Sequence, residues 1–217
     1  MYFIKLNEPM KYVLLKTRML SIHESNLNRP ISVQRIASII MLQSIYGWSA
    51  ITYMWFFRES IPTSVRYMDL WIGLIATVPL VSSMALSNHW RFEKLKHITS
   101  QGILFIFGKD YRPIAVGLSS LVLALVAGIG EELFFRAVIQ EEMTILTTEM
   151  FGMCMSVLLF GLAHAISVEY MVCSSIAGIY FSWLYLWCGR SIVVVAICHT
   201  LYDWIVFMYV HYEVTHY

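Results

Sequence analysis

From residue 36 to residue 209 the chain is a succession of apolar runs, each close to the length that spans a bilayer and separated by short polar links. Crossing the hydrocarbon core takes about 20 mostly apolar residues in a helix. Lipid offers no partner for backbone N–H and C=O groups, so an open sheet or an irregular loop cannot sit there. The runs at 36–57, 70–87, 114–139, 150–166, 170–187 and 192–209 read as six transmembrane helices. Their composition agrees: 59% of the chain is hydrophobic and 13% charged, against roughly 45–50% apolar usage in soluble domains. The expected fold is all-α, a polytopic transmembrane helical bundle of about six spans.

The polar remainder divides the chain into three parts. Residues 1–35 carry six Lys or Arg among apolar residues, which suits a basic amphipathic segment on an anionic leaflet, or equally a topogenic tail. The charges at Lys5, Glu8, Lys11, Lys16 and Arg18 leave no continuous apolar core for a cleaved signal peptide. Residues 36–112 hold two spans, a link with Pro62, and a basic loop in which Arg91, Lys94, Lys96, Lys109 and Arg112 accompany Phe92, Leu95 and Ile98 at helical spacing. That loop predicts an amphipathic interfacial helix, and Pro113 suits the first position of the next helix. Residues 113–217 carry the remaining spans.

Lys and Arg gather in the N-terminal tail and in the loop after the second span, and the loop after the third has none. The positive-inside rule then places both termini in the cytoplasm of a multi-pass cell-membrane protein. With a formal net charge of +1 there is no polyanion-binding footprint, so nucleic acid is not an expected partner; lipid is. Cys154, Cys173, Cys188 and Cys198 lie in or beside apolar runs without CxxC spacing, which argues against a thiolate zinc site and against a disulfide framework. Small residues at Ser174, Gly178 and Ser182, and at Ala124 and Gly128, allow close helix approach.

Six polar residues fall inside the predicted spans: Glu131, Glu132, Arg136, His164, His199 and Asp203. A lone Asp, Lys or Arg at mid-span costs about 2.5–3.5 kcal/mol on insertion scales, so four unpaired charges would cost roughly 10–14 kcal/mol. That is comparable to a whole domain's stability of about 5–15 kcal/mol. The groups must meet one another, or water, inside the bundle. Glu132 and Arg136 stand four apart with the acid first, the favoured order for a helical ion pair, which turns Glu131 about 100° away. Glu131 is the uncommitted carboxylate. Crowded beside another acid and away from bulk water, it meets the condition for a general base or acid working near neutral pH. His199 and Asp203 are also four apart and share a helix face, as two metal ligands or a hydrogen-bonded pair would. Taken singly, a buried histidine or a Glu–Arg pair reads as a core polar residue or an interhelical clamp. Gathered with an unpaired Glu131, they read as a functional site.

These residues compose three motifs: EExxxR at Glu131, Glu132 and Arg136; FxxxH at Phe160 and His164; HxxxD at His199 and Asp203. In type, order and separation on different helices they resemble the superfamily of type II CAAX prenyl endopeptidases and bacteriocin-processing or self-immunity membrane proteins, over roughly residues 113–210. The resemblance implies an intramembrane peptidase acting on a membrane-anchored, lipidated or hydrophobic peptide. It further implies that Glu131 activates the attacking water, His164 positions that water or a metal, Glu132 and Arg136 hold the site, and His199 and Asp203 stabilise the oxyanion or complete a metal shell. The family's last position is usually Asn; Asp203 donates a hydrogen bond only when protonated and is better suited to orienting His199 or binding a metal. If a metal is present, Glu131, His164, His199 and Asp203 are its ligand set, of types that suit zinc; without one, the same residues provide a general base and its hydrogen-bonding partners. Spacing does not choose, and the cofactor is left open between none and a divalent metal.

Other protease chemistries lack their motifs: there is no HExxH helix, no GxSx-type serine site, and only one Asp within a span. The GxG at Gly128 to Gly130 has no preceding strand and is not a nucleotide loop. Two alternatives use the same residues differently. A non-enzymatic bacteriocin-immunity or scaffold protein would need the Glu132–Arg136 pair but not a base, and a proton-coupled transporter would relay protons through Glu and His, although no inverted repeat is evident.

Overall fold

The computed structural model describes residues 31–57, 66–87, 93–109 and 112–216. The expectations for residues 1–30, for the link with Pro62 and for residues 88–92 lie outside the described residues. All the regular structure among the described residues is helical: α1 (Val33–Phe57), α2 (Tyr67–Ser87), α3 (Glu93–Phe107), α4 (Pro113–Glu132), a π-helical segment (Leu133–Gln140), α5 (Glu141–Leu146), α6 (Glu149–Ala163), α7 (Val168–Trp187) and α8 (Ile192–His216).

The local chemistry explains most helix starts. Pro113 opens α4, where its missing N–H costs nothing. Thr148 caps α6 by accepting from Phe151 N at 3.3 Å, Ser167 caps α7 by accepting from Tyr170 N at 3.1 Å, and Ser191 accepts from Val194 N at 3.4 Å at the start of α8. Each of the six apolar runs is a helix. Three are long and apolar enough to cross a membrane, at Tyr67–Met84, Pro113–Leu146 and Ile192–His216, and α6 is a shorter apolar helix. The third run extends further than the sequence suggests, because α4, the π-helical segment and α5 continue one another over 34 residues.

The distribution of side chains is that of a protein dissolved in lipid. Trp55, Phe57, Ile75, Ile114 and Ile166 are all at least two-thirds exposed, while Glu131, Glu132, Arg136 and Gln140 are buried. A water-soluble domain shows the reverse, and only a lipid solvent makes this arrangement favourable.

Helix α8 is the central element: α4, α2 and α3 all pack on it, α6 packs on α7, and α1 packs on α4. The basic amphipathic stretch forms α3, whose Ile103 and Phe107 are buried in a cluster with Val116 and Leu123 that Phe207 and Met208 of α8 adjoin. Arg35 Nη1 donates to the Phe105 carbonyl and joins α1 to α3.

Close approach of α4 and α8 depends on Gly128. A Cβ there would lie 2.4 Å from Thr200 Oγ1 and 2.8 Å from the Thr200 backbone nitrogen, so the helices themselves would have to separate. Gly128→Ala is therefore expected to cost about 1–3 kcal/mol as overpacking, read as a lowered thermal midpoint of the purified protein in detergent.

Candidate active site

The buried charges come together at the junction of α4, the π-helical segment, α6, α7 and α8. Glu131 and Glu132 form the last turn of α4, and Arg136 lies in the π-helical segment that follows. A π-helix bonds i to i+5 and is wider than an α-helix; within longer helices such stretches often mark functional sites. Here it buries Phe135, Arg136, Ala137, Val138 and Gln140 together. One of its carbonyls, that of Phe135, is taken by Ser156 Oγ of α6 at 2.8 Å.

Arg136 is the hub. Its Nε lies 3.2 Å from Glu132 Oε2, with both side chains fully buried, and its Nη2 donates to the Gly178 carbonyl of α7 at 3.2 Å. The guanidinium lies 4.7 Å from the Phe160 ring centroid and 5.6 Å from that of Phe181, a cation–π arrangement strengthened by the lack of water. Gly178 makes room for this, since a Cβ there would meet Phe160 Cδ1 at 3.2 Å.

Glu132 uses its other oxygen on α8: His199 Nδ1 donates to Glu132 Oε1 at 2.8 Å. His199 Nε2 lies 3.4 Å from Asp203 Oδ2, and its ring stacks on Phe181 with centroids 4.6 Å apart. The chain Arg136, Glu132, His199, Asp203 thus runs unbroken from the π-helical segment to α8. The intrahelical pairs Glu132–Arg136 and His199–Asp203 are where the i, i+4 spacing predicts them. The bond between Glu132 and His199 joins residues 67 apart, and helical spacing gives no sign of it.

Glu131 stands outside this chain. Its Oε2 is buried and accepts no hydrogen bond from the described residues, and it lies 3.7 Å from His164 Nε2. His164 is placed differently from the sequence expectation, at the turn that ends α6 and not within a span. Its Nδ1 lies 2.8 Å from the Phe160 carbonyl, the acceptor that its own backbone N–H would take if the helix continued; that N–H instead reaches the Gly161 carbonyl at 3.1 Å. A carbonyl can only accept, so Nδ1 carries a proton, and when the ring is neutral its Nε2 presents a lone pair toward Glu131.

Glu131, His164, His199 and Asp203 line a cavity of about 720 Å³, within the size range of small-ligand sites. Its other walls are mostly apolar, among them Leu42, Ile98, Ile103, Leu123, Ala177 and Phe207 from α1, α3, α4, α7 and α8. Gln140, Phe181 and Tyr170 also join the site, though none belongs to the three motifs. Gln140, four residues beyond Arg136, is fully buried and donates from Nε2 to the Ser182 carbonyl at 3.5 Å; the stripe Glu132, Arg136, Gln140 was the available sign.

As a metal centre the set does not fit. The four candidate ligands fall into two pairs, Glu131 with His164 and His199 with Asp203, and among the described residues no three His, Cys, Asp or Glu side chains gather as ligands would. The four cysteines are free thiols.

Residues 113–205 match the family model described as type II CAAX prenyl endopeptidase, Rce1-like. The matched stretch runs from the start of α4 past Asp203 and contains every candidate site residue. The match is to the prenyl-endopeptidase side of the resemblance read from the motifs. Neither the curated proteins nor the solved structures gave a match.

Removing Arg136 would leave Glu132 buried beside Glu131, with His199 as its hydrogen-bonding partner. Arg136→Met is expected to cost about 3–5 kcal/mol, seen as loss of folded protein and a lower thermal midpoint in detergent. Glu132→Gln added to it is expected to recover part of that loss, because the stranded charge goes.

Proposed function

We propose that this chain is an intramembrane endopeptidase in which Glu131 activates a water against a peptide bond of a membrane-anchored, lipidated or hydrophobic peptide. The observation that carries the reading is the division of labour between two adjacent carboxylates. Glu132 has one oxygen on His199 Nδ1 and the other, itself without a hydrogen bond, 3.2 Å from Arg136 Nε, while Glu131 lies outside that chain of charges and faces His164 Nε2 at 3.7 Å on the wall of a cavity. The Rce1-like match over residues 113–205 supports the same class of chemistry.

The gap of 3.7 Å between Glu131 Oε2 and His164 Nε2 is one that a single water oxygen, about 2.8 Å from each, can bridge. Such a water gives one proton to the carboxylate and the other to the imidazole lone pair, which leaves its own lone pairs directed at a substrate carbonyl. As the oxygen attacks, Glu131 takes the proton, the new C–O bond forms, and the carbonyl π electrons move onto oxygen. Collapse of the tetrahedral intermediate breaks the C–N bond, and Glu131 returns the proton to the departing amine. His199, held by Glu132 and Asp203, faces the same cavity as a partner for the oxyanion. The apolar walls provide a site for the substrate's hydrocarbon portion. In this reading the protein is a multi-pass cell-membrane protein with both termini in the cytoplasm, and residues 113–217 form its catalytic core.

Two experiments test the proposal. Glu131→Gln keeps the shape of the side chain but removes the base, and is expected to lower turnover about 10²–10⁴-fold at unchanged levels of inserted protein. In host cells an uncut membrane or secreted precursor should accumulate with the variant and not with the wild type; matching polypeptide profiles would sink the peptidase reading in favour of a scaffold role. A zinc chelator is expected to leave the cleavage rate within twofold of the untreated enzyme, and loss of activity restored by zinc would instead call for regrouping of Glu131, His164, His199 and Asp203 around a metal.

A further inference from the structure

Hydrolysis through Glu131 builds negative charge on the substrate's carbonyl oxygen, and a carboxylate can only accept hydrogen bonds. A donor besides His199 has to come from another residue of the cavity wall. Gln43, Thr99, Ser174, Tyr46, Tyr170 and Tyr202 carry the donors of that wall, and of them the tyrosines supply an O–H while keeping an apolar body.

Of these three, Tyr170 is built into the site. Its ring lies nearly parallel to the His164 imidazole, with centroids 6.2 Å apart and planes 19° from one another. Its backbone is fixed by the start of α7, where its N–H donates to the capping Ser167 Oγ at 3.1 Å. Its phenol lies within electrostatic reach of both Asp203 and Glu131, and its hydroxyl bonds to no described residue, so its proton is available to a ligand. By contrast, the ring of Tyr46 packs against Phe134 and Phe135 at 5.5 Å each, and Tyr202 has no ring contact with either site histidine.

We propose that Tyr170 is a further catalytic residue of this hydrolysis, its hydroxyl donating a hydrogen bond to the carbonyl oxygen as the tetrahedral intermediate forms. The inference rests on the reading of Glu131 as the base. The phenol proton stays on Tyr170 throughout; the bond strengthens as charge grows on the oxygen and relaxes as the C–N bond breaks. Stacking on His164 ties the donor to the residue that orients the water, so nucleophile and oxyanion are positioned by one pair of rings. An oxyanion donor of this kind is worth about 10²–10³ in kcat.

The test uses the full-length protein in detergent and, as substrate, the precursor that accumulates in cells carrying Glu131→Gln. Tyr170→Phe is expected to cut kcat about 10²–10³-fold with KM within a factor of two or three, and 3-fluorotyrosine at position 170, which keeps an O–H on the same ring, is expected to restore most of it. If Tyr170→Phe turns over within twofold of wild type while Glu131→Gln is inactive, the assignment of Tyr170 is wrong and the base stands. The assignment is equally overturned if the loss falls on Tyr202→Phe or Tyr46→Phe, if it appears in KM alone, or if fluorotyrosine fails to rescue, which would mark a packing role. If no precursor accumulates with Glu131→Gln, the base and the donor fall together.

Discussion

The Glu132–Arg136 pair is the interaction on which the rest of this bundle depends. A guanidinium buried in a lipid-facing protein needs partners inside the bundle, and this one meets them on several elements at once: its Nη2 donates to the Gly178 carbonyl on α7, its Nε lies 3.2 Å from the Glu132 carboxylate at the end of α4, and its plane faces Phe160 on α6 and Phe181 on α7. Such a pair adds little net stability over an apolar replacement of the same shape, because desolvating two charges offsets most of their attraction. What it provides is geometry, since the planar fork of Arg fixes distances and angles that an apolar contact leaves free. Once Arg136 is seated, the relative positions of the π-helical segment, α6 and α7 are largely set.

Glu132 carries that order across to α8. A carboxylate has two oxygens, and here one faces Arg136 and the other accepts from His199, so a single side chain connects an intrahelical ion pair to a helix that lies far off in sequence. Because Glu132 is committed on both sides, its neighbour Glu131 points elsewhere and stays unclaimed, toward His164 and the cavity. Two identical residues side by side acquire different partners from the 100° turn between them and from what stands opposite each. Small residues make the arrangement physically possible: Gly128 admits Thr200, and Gly178 admits Phe160. In lipid, where burying apolar area gives no advantage over leaving it exposed, such close backbone contact is a main source of helix association.

Much of this was legible in the sequence because a bilayer simplifies the problem. The length and hydropathy of the apolar runs follow from the thickness of the hydrocarbon core, and charge within a span is costly enough to be informative wherever it occurs. For that reason the all-helical bundle, the six polar residues, the i, i+4 pairs and the motifs that match the Rce1-like description over residues 113–205 could all be read without coordinates. Helical spacing is a one-dimensional rule, and it correctly separated Glu131 from Glu132.

Relations between helices were decided by the tertiary structure alone. Nothing in local spacing indicates that Glu132 would hold His199, that Tyr170 would stack on His164, or that the candidate metal ligands would fall into two pairs, because each of these depends on which helix faces which and at what height. The π-helical widening at Leu133–Gln140 and the end of α6 at Ala163 are of the same kind: at each, a backbone carbonyl meets a side chain, Ser156 for Phe135 and His164 for Phe160. The sequence by itself determined the solvent, the secondary structure and the chemical inventory, since these rest on hydropathy and residue type. Folding decided which carboxylate stays free, because that is settled by packing distances of a few ångströms between segments that the chain alone does not relate.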